Sequence, residues 1–169
     1  MNFVPDQSEA QPVPYFEDAR ESDGWQGQRT SKTIDQLKSE VGDAVGRLGG
    51  FVRFFQQGTF HVGNVKRAGM QLHYTIDGRP ARIDIAALPT RQNGNREKSL
   101  KMALYMLRDV FNGLWFLQQL SPGYAALMPF MIADEQGHTV SQLWAESAIM
   151  NKLLPPPEAD FMQGEIIEE

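Results

Sequence analysis

The chain has 169 residues, 41% of them hydrophobic, and 16 Lys+Arg against 21 Asp+Glu, for a formal net charge of −5. That length suits one domain with a real core. Having no cysteine, the chain has no disulfide framework, no thiolate metal site and no thiol nucleophile, which fits a reducing cytoplasm.

Charge is distributed unevenly along the chain. Residues 1–46 carry a net −5, residues 47–101 a net +7, and residues 102–169 a net −7. A basic centre between acidic ends suggests a surface that meets a polyanion.

Residues 1–28 read as a disordered arm, with Pro5, Pro12 and Pro14 among polar and acidic residues and no apolar period. Met1 to Gly24 lacks the basic and apolar regions of a signal peptide. Tyr15, Phe16 and Trp25 stand out in the arm; they dock either on a partner or on the chain's own domain.

A first helix is expected from Ser31–Thr33, because Thr33 and Gln36 fit a capping box. Ile34, Leu37, Val41, Val45 and Leu48 then recur at helical spacing. Gly49-Gly50 is the favoured stop and Gly58 the alternative.

A short strand is expected at Thr59–Val62, turning at Gly63-Asn64. From Gln71, Leu72, Tyr74 and Ile76 alternate with polar residues up to Asp77-Gly78, the preferred pair for a type I′ hairpin. Ala81, Ile83, Ile85 and Ala87 alternate beyond it. A two-residue loop pairs Ile76 with Arg79, Tyr74 with Ala81, Leu72 with Ile83 and His73 with Arg82. Gly69 is the expected site of a bulge. The result is a three-stranded antiparallel meander, closed by Pro89.

Asn95 is the expected N-cap of a long helix over 96–120. Between Asp109 and Asp134 there is no charged residue. Ser121-Pro122-Gly123 and Pro129 interrupt that run, so it reads as two buried elements rather than a membrane span. Residues 124–133 are open between helix and strand. Thr139 and Gln142 form a second capping box for a helix through about Met150. Pro155-Pro156-Pro157 precedes an acidic tail.

The predicted architecture is α+β, in the order α-β-β-β-α-α, with a disordered arm at 1–28, one domain at 29–153 and a flexible tail at 154–169. Its first five elements share their order with double-stranded RNA-binding domains, without a matching loop motif.

The expected function is non-enzymatic nucleic-acid binding, with single strands favoured. The candidate contacts are Lys66, Arg67, His73, Arg79, Arg82, Arg91, Arg96, Lys98 and Lys101, with Phe54, Phe55 and Phe60 nearby for base stacking. A competing expectation is that the acidic ends cover this basic centre. Met102, Met106, Met128 and Met131 mark segment 102–133 as a surface for a protein partner or a homo-oligomer. No catalytic motif is present, and no cofactor is expected. His61, His73 and His138 lack metal-ligand spacing. Asp84 is expected to pair with Arg67 or Arg82.

Overall fold

The chain is seen in a computed structural model that describes residues 13–144. Helix α1 (Ile34–Arg47) starts where the sequence places it. Thr33 Oγ1 accepts from Gln36 N at 3.1 Å, and Gln36 Oε1 accepts from Thr33 N at 2.8 Å, so both halves of the capping box form. The helix stops at the favoured glycine pair, where Gly49 takes φ +99°.

Strand β1 (Gly50–Val62) follows after a two-residue turn at Leu48 and Gly49 and begins nine residues before the expected Thr59. Its start was hidden because Phe54 and Phe55 are adjacent apolar residues, which breaks the alternation. The cause is a register shift between Val52 and Phe54. A bulge at Arg53 inserts one residue and re-aims the chain. Gly69, by contrast, is not a bulge. It pairs regularly with Gly58 on one side and Ala86 on the other. What requires glycine there is close approach: an added Cβ would fall 2.1 Å from the Phe60 ring.

Strands β2 (Val65–Ile76) and β3 (Arg79–Ala86) complete one antiparallel sheet in the order β1-β2-β3. Their register is the predicted one, including His73 opposite Arg82. Asp77 and Gly78 both have positive φ, +49° and +74°, as a type I′ turn requires.

Helix α2 (Arg96–Leu120) matches the predicted span, but Asn95 does not cap it. A short 3-10 turn at Asn93–Asn95 leads into the helix, leaving Asn95 itself in helical backbone. Its amide instead donates to Glu17 Oε1 at 3.1 Å.

Residues 124–133 are mixed. A 3-10 turn at Met128–Phe130 is followed by antiparallel bridges from Met131 to Ala81 and from Ile132 to Thr139. These lay a short extra piece beside β3. Thr139 and Gln142 then form their capping box and open α3 (Val140–Trp144). The expected continuation to Met150, the proline run, the acidic tail and residues 1–12 lie outside the described residues.

Both long helices pack on one face of the sheet. Leu37, Val41 and Val45 of α1 and Leu100, Leu104 and Phe111 of α2 meet Met70, Leu72, Tyr74, Ile83 and Ile85. This two-layer packing follows from strands whose apolar residues all point one way. From Val13 onward the N-terminal segment lies against the domain. Phe16 is buried with Leu88 and Met102, beside Ala19, Trp25 and Met106. Phe16 N donates to Pro89 O at 2.8 Å. Of the two expectations for these aromatics, docking on the chain's own domain is the one seen.

Candidate nucleic-acid interface

The sheet face away from the helices is set by period-two alternation and register. In β1 it carries Phe51, Phe54, Gln56 and Phe60. In β2 it carries Arg67, Gln71, His73 and Thr75, and in β3 Arg82 and Asp84. Phe55 has the opposite parity and packs against the core.

Phe51 and Phe54 are the main apolar groups of this outer face, at 64% and 53% exposure. Phe54 stacks on His73 with ring centroids 4.4 Å apart and planes inclined by 16°. The bulge brings the Arg53 guanidinium over the Phe51 ring, 5.1 Å from its centroid. Partial burial lowers the His73 pKa, and Arg82 beside it adds to the effect. A neutral imidazole stacked on a phenyl ring extends a flat aromatic surface across two strands.

The nine basic residues expected at the interface do not form one surface. Arg67 is turned to the sheet's own backbone, donating to Ala87 O at 2.6 Å and Ala86 O at 2.8 Å. Arg82 is held by Asp84 at 2.9 Å, as anticipated, and also donates to Gly137 O at 2.9 Å. Gln142 reaches Asp84 as well, at 3.1 Å. The 137–142 segment therefore engages the β3 part of the outer face and leaves β1 and β2 open.

Lys66, near the start of β2, and Arg79, at the start of β3, sit at opposite ends of the sheet. Ten steps separate Lys66 from Ile76, the partner of Arg79. At about 3.3 Å per residue that is roughly 33 Å. Arg96 donates to the Thr59 hydroxyl. Lys98 and Lys101 lie on the first turns of α2, where Lys101 pairs with Glu97 at 3.5 Å.

Arg91 is covered by acids of the N-terminal segment. Its guanidinium donates to both Asp18 oxygens, at 2.9 and 2.6 Å, and lies 4.4 Å over the Tyr15 ring. Glu17 Oε1 accepts from Arg91 N, Gln92 N and Asn95 Nδ2 at 2.9 to 3.1 Å. Desolvation works against that carboxylate, yet these donors hold its pKa below the usual value. For Arg91, acids of the N-terminal end do cover the basic centre.

Phe51, Arg53, Arg20 and Arg29 did not stand out in the sequence. The first two lie in the bulged strand, where alternation is lost. The other two fall in the polar N-terminal segment, which has no apolar period. Among the described residues, no group of three or more His, Asp or Glu side chains could hold a metal ion, and no helix is long and apolar enough to cross a membrane. Comparison with known proteins finds no match among protein families, curated proteins or solved structures.

Proposed function

We propose that the open β1–β2 part of the sheet binds single-stranded nucleic acid. One observation carries this reading: Phe51 and Phe54 are exposed side by side on the outer face, the second extended by the stacked His73. Exposed rings on a rigid sheet accept successive bases whatever their identity, because every base has a π-face. Polar neighbours Gln56, Gln71 and Thr75 suit base edges. Arg53 is the phosphate contact on this surface; Arg67 and Arg82 serve mainly to fix it.

One phosphate contact implies a salt slope of only about −0.7 in log K against log salt. Phe54→Ala should weaken binding by about 1–3 kcal/mol, the usual worth of one stacked base. Anisotropy titrations of labelled single-stranded DNA and RNA, at two salt concentrations, test both. Absence of binding at low salt, or equal affinity of wild type and Phe54→Ala, overturns the proposal.

A second reading rests on α2. Gly113, Phe116, Leu117 and Leu120 share one helical face, and Leu120 is 82% exposed with Phe116 and Leu117 beside it. Exposed apolar residues grouped this way suit a protein partner or self-association. Light scattering across a concentration series, with Leu120→Gln as control, tests it; a monomer at every concentration counts against self-association.

A further inference from the structure

The sheet has one long open edge, along β1. On the β3 side, Met131 bridges to Ala81, and Ile132 N donates to Pro80 O at 2.9 Å. On the β1 side, among the described residues, no backbone group of residues 50–62 bonds to backbone outside the sheet. The two-residue loop Gly63-Asn64 makes Val62 and Val65 a hydrogen-bonded pair. Every second residue then turns its backbone to β2. The N–H and C=O groups of Phe55, Gln57, Thr59 and His61 point instead to the open edge. The Arg53 bulge bounds this run at one end and the loop bounds it at the other.

Gly58 sits in the middle of the run 54–62, and the chain itself does not require glycine there. Its φ is not positive, and no atom lies within 4 Å of an added Cβ. A glycine inside a strand weakens it, and often marks a place where another backbone comes close. Charged side chains on an edge strand keep other strands away. Residues 54–62 contain no Asp, Glu, Lys or Arg.

This run is complementary to itself. About a two-fold axis at Gly58, Phe54 meets Val62, Phe55 meets His61, Gln56 meets Phe60 and Gln57 meets Thr59. Phe54 and Val62, both exposed, make an aromatic–β-branched pair across the strands. The four edge-facing residues of each copy supply about eight hydrogen bonds, within the range of a standard interface. The helices stay apart. Ile34 lines a cleft with Gln57 and Gly58, Lys38 Nζ lies 5.8 Å over the Phe55 ring, and a Cβ on Gly42 would lie 3.6 Å from Val52. Helix α1 therefore backs only residues 50–58 of β1. Residues 61–66 at the hairpin tip are all exposed. The axis sets each α1 beside the exposed tip of the other copy. Charges on the helix side near Gly58, Asp35 and Glu97 with Lys38 and Arg96, balance in sign.

We propose that β1 pairs antiparallel with β1 of a second copy of this chain, about a two-fold axis at Gly58, joining two sheets into one. A two-fold axis uses the same patch on both copies and closes after one partner. With β1 paired and β3 bridged, no long edge is left for a third chain. Paired residues share a face, so both helix layers lie on one side and both outer faces on the other. The pairing uses the edge of β1 and not its face. It stands or falls independently of base stacking and of association through α2.

Sedimentation equilibrium of the full chain over a concentration series tests the proposal. A dimer, at twice the chain's 19.0 kDa, is expected. Gln57→Pro removes an edge-facing N–H that β2 does not use, once in each copy, and should raise the dissociation constant at least about tenfold. Gly58→Lys sets like charges opposite each other on the axis and should raise it about fivefold or more. Gly58→Glu should do the same, and an equimolar mixture of the two charged variants should associate at least as tightly as wild type. Urea midpoints of the variants confirm that they remain folded. A monomer at every concentration overturns the proposal, as does a dimer unchanged by both Gln57→Pro and Gly58→Lys. A dimer lost in Leu120→Gln but kept in Gln57→Pro assigns association to α2 and also overturns it. Charged variants that stay apart when mixed overturn the axis at Gly58.

Discussion

Replacing Tyr74 by phenylalanine should stabilise the protein. Tyr74 lies in the middle of β2 on the helix-facing side and is only 1% exposed. Its ring packs in the main core, but its hydroxyl is buried with no hydrogen-bond partner among the described residues. An unsatisfied buried group costs about 1–3 kcal/mol. Tyr74→Phe removes that oxygen and keeps the ring, so a gain of about 1 kcal/mol is expected at pH 7, from the low end of that range. For a chain of this size the gain corresponds to a rise in Tm of about 3 °C. Alkaline pH sharpens the test. Burial pushes the phenol pKa well above its ordinary value. Above about pH 10 the unfolded chain loses the Tyr74 proton while the folded one keeps it. Stability of the wild type therefore falls as pH rises through that window, by up to about 1.4 kcal/mol per unit. The variant lacks this contribution, so its advantage should widen by about 1 kcal/mol at pH 11. Urea unfolding followed by tryptophan fluorescence at pH 7 and pH 11 measures both quantities. Destabilisation at pH 7 would refute the reasoning by showing that the hydroxyl has a partner, and a difference independent of pH would refute it by showing that the hydroxyl is not buried.

Gly50→Ala places a Cβ 2.6 Å from Val45 Cγ1 and 3.0 Å from the Tyr74 ring, and should cost about 1–3 kcal/mol by overpacking; an unchanged urea midpoint contradicts this. Thr33→Ala removes the cap to Gln36 N and should cost about 1 kcal/mol, read as a lower Tm with loss of helical circular dichroism on the same transition. The His73 pKa is lowered, so on acidification the unfolded chain takes up that proton first. Its contribution is complete above the ordinary histidine pKa and is lost as pH falls through it. His73→Gln should flatten that part of the stability profile between pH 7.5 and 5; parallel profiles would count against it.

The hairpin of β2 and β3 was fully legible because two independent signals agreed. Asp77-Gly78 sets the loop length, and the alternation from Leu72 to Ala87 sets the faces. Helix α1 was legible for a similar reason, with a capping box at one end and glycine at the other. The first half of β1 was not, since a bulge destroys the periodicity by which strands are recognised. The candidate interface fared worse. Sequence position placed nine basic residues near one another, but pairing partners decide what each one does. Arg67 and Arg82 are consumed by backbone carbonyls and by Asp84, and Arg91 by Asp18. Those partners lie up to 73 positions away in the chain, beyond the reach of local pattern. Arg20 and Arg29 were missed by the same logic in reverse, since a polar, proline-containing arm does not announce that it will fold back on α2.

The bulge at Arg53 has one more effect. Strand β1 is an edge strand of 13 residues, and apart from His61 its only ionisable side chain is Arg53. Without that charge, residues 51–55 would be four large apolar residues in extended backbone on an open edge, the pattern that recruits further chains into fibrillar or precipitated material. The arginine and the kink it sits on act as a gatekeeper. Removing Arg53 would thus alter colloidal behaviour together with any phosphate contact, whereas Phe54→Ala changes the stacking surface and leaves the guard in place.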